Sequence, residues 1–412
     1  MVAVIGILAI IAFLMVVLEE VIHINKAKST LFIGTLCWIL AYVFPIHGVP
    51  ASEISEQLNE NLLEIATLWL FLMSAMTFVA YLNSKGFISS LVQRLLPNEL
   101  HERTLMVLLG CFAFLFSSFA DNVTATLVSL AVITSLKIEA RKRLKYATLI
   151  IFAVNSGGVS LITGDVTTLM IFLAGKVSIP NLLLLVGPSL CGVIVLAAMM
   201  SVRMRGRINF SAETKPIEKT DIIISIIFLT TILSTLLLNA FFQVPPVLTF
   251  MFGLSCMFLA AQYLLRKTDR SILNYIREIE FDTLLFFVGI LLIVGILKEI
   301  NMLDYLTSLY DVMPVEYANF LLGISSALID NVPLTAAVLK ANVDMNMASW
   351  LSMTYATGVG GSMLVIGSAA GIIAMSKVKE LNFISYLSMF GYLLVAYSVG
   401  YWLSYFLAIK ML

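Results

Sequence analysis

Charge is scarce in this 412-residue sequence, and so are histidine and cysteine. Charged residues make up 12% of the chain, about half the share usual in a soluble domain, whereas hydrophobic residues make up 60%. The mean hydropathy is +1.00, and long apolar runs recur from one end to the other. This pattern predicts a polytopic helical membrane protein. The first run, Val2–Val21, lacks a basic start and a small-residue cleavage site, so we expect a retained span.

The same scarcity disfavours several kinds of chemistry. The three histidines, His23, His47 and His101, have no ligand spacing between them, so we expect no zinc or haem site and no other cofactor. None of them lies in mid-span to serve as a base, which disfavours an intramembrane enzyme. The four cysteines stand singly within apolar runs, and the formal net charge is zero, so neither a disulfide framework nor a nucleic-acid partner is expected.

Two apolar segments are each interrupted by an aspartate followed by an asparagine. The breaks span residues 117–123, around Asp121, and residues 325–333, around Asp330. Asn331 is a good helix N-cap, and Pro333 suits the first turn of a helix. Each break therefore predicts two half-helices that meet at a polar tip. We interpret them as re-entrant hairpins over residues 104–136 and 316–341.

The two halves of the chain contain the same motifs in the same order. Residues 64–68 match 280–284 at an offset of 216, and the two Asp-Asn-Val tripeptides match at 209. A glycine pair followed by a further glycine recurs at 203, as Gly157-Gly158 with Gly164 and as Gly360-Gly361 with Gly367. We predict an all-α fold of two repeats, each with five spanning helices, one re-entrant hairpin and one Gly-broken helix. Because five is odd, the second repeat is inverted, which is a common plan of secondary transporters.

The predicted boundaries follow from these motifs and from the distribution of charge. Repeat 1 covers residues 1–210 with a broken helix over 146–173, which is expected to be interrupted at 155–158 and again at 163–165. Repeat 2 covers 220–412 with a broken helix over 347–376. Residues 211–219 form a cytoplasmic linker, and an acidic loop with Glu53, Glu56 and Glu60 is expected after the second span. With both termini outside, 21 of the 25 Lys and Arg residues face the cytoplasm. Amphipathic pieces at 86–96 and 302–310 are interpreted as interfacial arms that let a transport module move against a scaffold.

Three aspartates, Asp121, Asp165 and Asp330, are predicted at membrane depth, where a carboxylate costs about 2.5–3.5 kcal/mol on insertion scales. No Lys or Arg is expected within their reach, since Lys340 lies about 15 Å along a helix from Asp330. We therefore expect these carboxylates to bind a proton or a cation, and we assign them as the Na⁺ ligands. The remaining predicted members of the cation- and proton-binding site are Asn122, Thr124, Asn155, Ser156, Gly157, Thr163, Asn331, Thr357, Gly360 and Ser362.

The oxygens of those residues and the carbonyls of a Gly-broken backbone suit a small hard cation. Two structural alternatives stay open: each Ser or Thr can bond to its own helix, and the glycine pairs can serve close helix packing. A carboxylate that holds either a proton or Na⁺ is an exchanger by competition. We predict a secondary active transporter that exchanges cytoplasmic Na⁺ or Li⁺ for external H⁺. The alternative is a Na⁺- or H⁺-coupled anion carrier of the same fold, for a dicarboxylate or arsenite, which two aspartates at the hairpin tips disfavour.

Four motifs resemble the NhaD-type Na⁺/H⁺ antiporters of the ion transporter superfamily. They lie at residues 119–124, at 155–158 with 164–168, at 330–333, and at 357–362 with 366–371. The resemblance implies scaffold helices, two opposed hairpins and two broken helices. It further implies a homodimer that moves as an elevator in a bacterial inner membrane and carries Na⁺, Li⁺ and H⁺. Ala80 and Asn83 stand where the family's third span has a Glu and an Asp.

Overall fold

The computed structural model is almost entirely helical. It describes residues 1–412 apart from 18, 23, 45–50, 86–98, 135, 137, 203, 210–217, 265–273, 278, 280, 303 and 329. The helices of the first half are α1 Val2–Val17, α2 Glu19–Ile22, α3 Lys26–Val43, α4 Ala51–Ser84, α5 Glu102–Phe119, α6 Asn122–Thr134, α7 Ala140–Gly158, α8 Val166–Leu173, α9 Ile179–Leu182 and α10 Val186–Ser201.

The second half is also helical. Its helices are α11 Lys219–Phe242, α12 Pro246–Leu264, α13 Asn274–Arg277, α14 Phe281–Glu299, α15 Asp304–Val312, α16 Val315–Ser325, α17 Asn331–Lys340, α18 Met347–Gly360, α19 Ala369–Lys377, α20 Phe383–Leu387 and α21 Phe390–Met411. Short 3₁₀ turns follow α9 at Leu183–Leu185 and α18 at Gly361–Met363. One antiparallel pair, β1 Glu99–His101 with β2 Arg207–Asn209, is a small exception to the predicted all-α fold.

Seven helices in the described part of the chain are long and apolar enough to cross a membrane. They are Glu53–Leu82, Glu102–Phe119, Ile179–Ser201, Lys219–Asn239, Pro246–Tyr263, Phe281–Glu299 and Phe390–Met411. Large apolar side chains such as Phe241, Phe252 and Val312 lie on the surface of the fold, as expected for a lipid-facing exterior. The protein is therefore a multi-pass membrane protein.

Three boundaries differ from the sequence-based expectation. Glu53, Glu56 and Glu60, expected in a loop, lie within the 34-residue helix α4. The first Gly-broken helix has a single break, at residues 159–165, because α7 continues through Asn155 to Gly158. The second amphipathic piece, expected at 302–310, appears as α15 over Asp304–Val312, whereas the first, 86–96, lies wholly outside the described residues.

Both predicted hairpins appear as pairs of helices separated at the Asp-Asn motif. Helix α5 ends at Phe119 and α6 begins at Asn122; helix α16 ends at Ser325 and α17 begins at Asn331. In each half, the second helix of the pair packs against the broken helix of the other half. Helix α6 contacts α19, and α17 contacts α8. This crossed packing brings the two polar tips toward one another.

The principal helix contacts fall into two groups. The first group contains α1, α3, α4, α11, α12 and α14. The second group contains the helices of both Asp-Asn pairs, both broken helices, α10 and α21. Helix α17 contacts members of both groups, since it packs on α14 and on α8. Helix α17 therefore lies where the two groups meet.

Candidate cation-binding site

Three aspartates each stand directly before the first residue of a helix. The carboxylate of Asp121, before α6, accepts hydrogen bonds from the backbone N–H and the hydroxyl of Thr124, both at 2.9 Å. Asp165 and Asp330, before α8 and α17, each accept a bond from the backbone N–H two residues later, at 3.2 Å. A carboxylate at a helix N-terminus satisfies free N–H groups and faces the positive end of the helix dipole. The helix starts thus fix the direction of all three carboxylates.

All three aspartates line one cavity of about 290 Å³. Across it, the side-chain amide of Asn331 lies 3.4 Å from Oδ2 of Asp165, which joins the tip of one half to the broken helix of the other. Gly158 makes room for this arrangement, because a Cβ there would lie 2.9 Å from Oδ1 of Asn122 and 3.1 Å from Cβ of Asp165. The polar residues lining the cavity are Glu19, Asn25, Lys26, Asp121, Asn122, Asn155, Asp165, Asp282, Thr283, Asp330, Asn331 and Ser368.

Asp330 has a basic partner that the sequence-based analysis missed. Nζ of Lys26, the first residue of α3, lies 2.8 Å from Oδ2 of Asp330. The prediction that no Lys or Arg could reach the aspartates was therefore wrong for Asp330. Local sequence gives no sign of this pair, because Lys26 stands 304 residues from Asp330 in the chain. Asp121 and Asp165 differ, since no ion pair within 4.0 Å joins either of them to a basic side chain of the described residues.

Glu19 and Asp282 also lie at the cavity, although neither was among the predicted site residues. Oε1 of Glu19 accepts a hydrogen bond from the backbone N–H of Lys26 at 3.0 Å. The amide of Asn25 donates to Oδ2 of Asp282 at 2.9 Å, and its own oxygen caps α3. The sequence does contain one local signal for this part of the cavity. An N-cap asparagine followed by a lysine, with a glutamate shortly before, indicates a charged helix start. Nothing local identifies the distant partners.

Asn155 and Ser156 are completely buried beside or near the cavity. The amide nitrogen of Asn155 donates to the carbonyl of Ile151 at 2.9 Å and to the hydroxyl of Ser368 at 3.1 Å. Its Oδ1 and the hydroxyl of Ser156 have no hydrogen-bond partner among the described residues. Buried polar oxygens without a partner are costly in apolar surroundings, so Oδ1 of Asn155, which lines the cavity, is available to a ligand, whereas Ser156 is not among the cavity-lining residues.

Other predicted site residues lie away from the cavity. The hydroxyls of Thr357 and Ser362 donate to carbonyls of their own turns at 3.1 and 2.6 Å, and that of Thr163 donates to the carbonyl of Ser118 at 2.7 Å. The structure therefore places these three hydroxyls in main-chain hydrogen bonds rather than among the cavity-lining groups. The Thr163 bond ties the first broken helix to the backbone of α5, whereas the Thr357 and Ser362 bonds stay within their own turns.

Gly157 and Gly360 serve close packing in this structure. A Cβ at Gly157 would lie 2.0 Å from the carbonyl oxygen of Phe114, and a Cβ at Gly360 would lie 1.9 Å from that of Gly323. Phe114 and Gly323 are themselves related by the offset of 209, and the two glycines by 203. The same backbone approach therefore occurs at equivalent positions of the two halves.

Among the described residues, no group of three His, Cys, Asp or Glu side chains is close enough together to hold a metal ion as a cluster. The cavity instead offers separated carboxylate and amide oxygens, which suit a weakly held ion that must also leave. A multi-pass helical protein whose polar cavity lies between two groups of packed helices belongs to the class of membrane transporters.

The comparisons with known proteins identify the family. The profile of the CitMHS family, described as citrate transporters, matches residues 1–358. The Na⁺/H⁺ antiporter NhaD of Vibrio cholerae serotype O1 is 34% identical, covering 95% of this chain and 88% of the relative. NhaD proteins of Alkalimonas amylolytica and Halomonas elongata are each 31% identical, over 93% and 89% of this chain and 85% and 80% of the relatives. The chain belongs to the CitMHS family of transporters, and the three relatives are named as NhaD Na⁺/H⁺ antiporters.

Proposed function

We propose that this protein is a secondary active transporter that exchanges cytoplasmic Na⁺, or Li⁺, for external H⁺. The observation that carries the proposal is the convergence of Asp121, Asp165 and Asp330 on one cavity, each held at a helix start. Two of the three have no ion-pair partner among the described basic residues. The names of its NhaD relatives agree with this chemistry.

Competition between the proton and the cation couples their movements. A carboxylate oxygen is a hard ligand that accepts either Na⁺ or H⁺, and a bound cation disfavours the protonated form. Asp121 and Asp165 are the best candidates for this competition, with Asn122, Asn155 and Asn331 as neutral oxygen donors to the cation. The cation leaves when protons replace it, so a proton gradient across the membrane can drive cation extrusion.

The charge of the cavity disfavours a citrate-like substrate. Five carboxylates line it, from Glu19, Asp121, Asp165, Asp282 and Asp330, and Lys26 is the one lysine or arginine among the described lining residues. A substrate with several negative charges would be repelled by such a surface. The anion carrier therefore ranks second, although the matched family is described by citrate transport.

We extend the proposal to the architecture. Residues 1–210 and 220–412 form two inverted repeats joined by a linker at 211–219, with hairpins at 104–136 and 316–341. Support comes from the crossed packing of α6 on α19 and of α17 on α8, and from the equivalent glycine contacts. The two groups of packed helices correspond to a scaffold and a moving module. A bacterial inner membrane location and a homodimer complete the proposal by family resemblance, and outer termini do so by the distribution of Lys and Arg.

The function is tested with everted vesicles or proteoliposomes that contain a pH-sensitive dye. Adding Na⁺ or Li⁺ is expected to produce proton movement with the wild type, and Asp121→Asn is expected to abolish it. Asp311→Asn is the matched control, since Asp311 is exposed on α15 and lies outside the cavity. If folded wild-type protein shows no proton movement with any monovalent cation, the antiporter function is contradicted. Proton movement on adding citrate would support the anion carrier instead.

A further inference from the structure

Lys26 is built into the cavity by contacts on several sides. Its ammonium lies 2.8 Å from Oδ2 of Asp330 and 4.5 Å from the centre of the Phe286 ring. The side chains of Lys26 and Asp330 are 21% and 13% exposed, so the pair is largely shielded from solvent. Such a pair is a charge-assisted hydrogen bond in a weakly screening environment, and it holds the carboxylate firmly.

The charged groups around Lys26 come from three other helices. Asp330 precedes α17, Glu19 lies on α2 and binds the backbone N–H of Lys26, and Asp282 lies on α14 and binds Asn25. Asp121 and Asp165 line the same cavity. Helices α1 and α4, which also pack on α3, place no charged side chain in this cavity. All of these charged neighbours are acidic, so they stabilise the ammonium of Lys26 in its position beside Asp330.

We propose that Lys26 is a tethered cation that competes with the transported cation for Asp330. The inference rests on the proposed exchange function and deepens it by naming a residue that sets cation affinity. When Na⁺ or Li⁺ binds at Asp330, the ammonium is displaced toward Glu19 and Asp282. When the ion leaves, the ammonium returns, so Asp330 is not left as an uncompensated buried charge.

A tethered competitor has two physical consequences. It weakens cation binding, because each ion must displace an ammonium that is always present at high local concentration. It also holds the tip of α17 against α3, which belongs to the other group of packed helices. Cation binding therefore loosens one link between the groups. A second link, between Lys340 at the far end of α17 and Glu64 of α4, spans 2.5 Å and lies outside the cavity.

The experiment measures ²²Na⁺ binding to the purified full-length protein at a fixed alkaline pH, where protons compete least. Lys26→Gln is expected to lower the half-saturating Na⁺ concentration about tenfold, equal to about 1.4 kcal/mol. Lys26→Arg keeps the charge and can pair in bidentate fashion, so its half-saturating concentration is expected to equal or exceed that of the wild type. A lowered half-saturating concentration in Lys26→Gln, together with an unchanged or raised one in Lys26→Arg, is the pattern that competition by Lys26 predicts.

Two control variants separate competition from other effects. Lys28 is exposed on α3, two residues after Lys26. Lys28→Gln removes its charge and is expected to leave Na⁺ binding unchanged. Lys340→Gln breaks the other link between the helix groups and is also expected to leave binding unchanged. A lowered half-saturating concentration in Lys340→Gln would mean that loosening, rather than competition, controls affinity, and it would overturn the proposal.

The outcomes distinguish this inference from the proposed function. Wild-type protein that binds Na⁺, with Lys26→Gln binding it equally well or more weakly, overturns the role of Lys26 and leaves the exchange function standing. Folded wild-type protein that binds neither Na⁺ nor Li⁺ overturns the exchange function itself. If Lys26→Gln does not fold, Lys26→Arg decides: a half-saturating concentration below that of the wild type contradicts the proposal.

Discussion

Replacing Asp165 by Ser is expected to abolish cation-dependent proton movement while leaving the fold intact. Asp165 is 6% exposed, and its carboxylate both caps α8 and faces the amide of Asn331. Ser368, its counterpart at an offset of 203, caps α19 with its hydroxyl. A serine can therefore preserve the cap while it removes the charge. We expect exchange to slow about a hundredfold or more, equal to about 2.8 kcal/mol.

The measurement pairs vesicle exchange rates with thermal unfolding of the purified protein. Asp165→Asn is a second variant, which keeps the shape of the side chain without its charge. Both variants should unfold near the wild-type temperature and show almost no exchange. Retained exchange in either folded variant would remove Asp165 from the site and leave Asp121 and Asp330 as its acidic members.

Adding one methyl group at Gly157 or Gly360 is expected to destabilise the protein strongly. The new Cβ would lie 2.0 or 1.9 Å from a backbone carbonyl oxygen, and a backbone atom within a packed helix cannot move aside cheaply. We expect a loss of about 3 kcal/mol, the upper end of overpacking costs. Because the two contacts are equivalent in the proposed repeats, the losses should be similar.

Thermal unfolding of Gly157→Ala and Gly360→Ala in detergent measures this loss. Gly187→Ala and Gly391→Ala are matched controls, since a Cβ at either helical position meets nothing within 4 Å. These controls should be neutral or slightly stabilising, because alanine favours a helix over glycine by up to about 1 kcal/mol. Wild-type stability in Gly360→Ala would contradict the close approach of α16 and α18.

The two halves of the cavity are chemically unequal, which bears on how many ions it can hold. The first broken helix supplies Asn155 and Asp165, whereas the offset of 203 places Gly358 and Ser368 at the matching positions. Asn155 bonds to Ser368, and a Cβ at Gly358 would lie 3.4 Å from Oδ2 of Asp165. The second half therefore makes space for the polar groups of the first. This asymmetry favours one main site near Asp165 over two equal sites.

The positions that sequence could predict are those governed by local rules. Asp121 and Asp330 were recognisable because a helix start needs an acceptor for its free N–H groups, and an Asp-Asn break in an apolar run has few other uses. Asp165 was recognisable as a carboxylate within a glycine-broken apolar helix. The breaks in the glycine-interrupted helices were recognisable because the glycine motif recurs in both halves at an offset of 203. The alternative left open for Thr357 and Ser362, bonding to their own turns, is what the structure shows.

The features that sequence could not predict depend on distant contacts. The pair of Lys26 with Asp330 joins residues 304 apart, and a lysine at a helix start looks like any membrane-flanking cation. The inclusion of Glu53, Glu56 and Glu60 in α4 was hidden because acidic residues break an apolar run without breaking a helix. Tertiary packing determines both the Lys26–Asp330 pair and the extent of α4.

The pH dependence of the half-saturating Na⁺ concentration tests the central claim most directly. Exchange rates are measured over a range of Na⁺ concentrations at several fixed pH values, without a membrane potential. Competition at shared carboxylates predicts that the half-saturating concentration rises about tenfold for each unit by which the pH falls, for each proton that competes. The maximal rate should change much less. A half-saturating concentration that stays constant across this range would contradict competition between proton and cation at these aspartates.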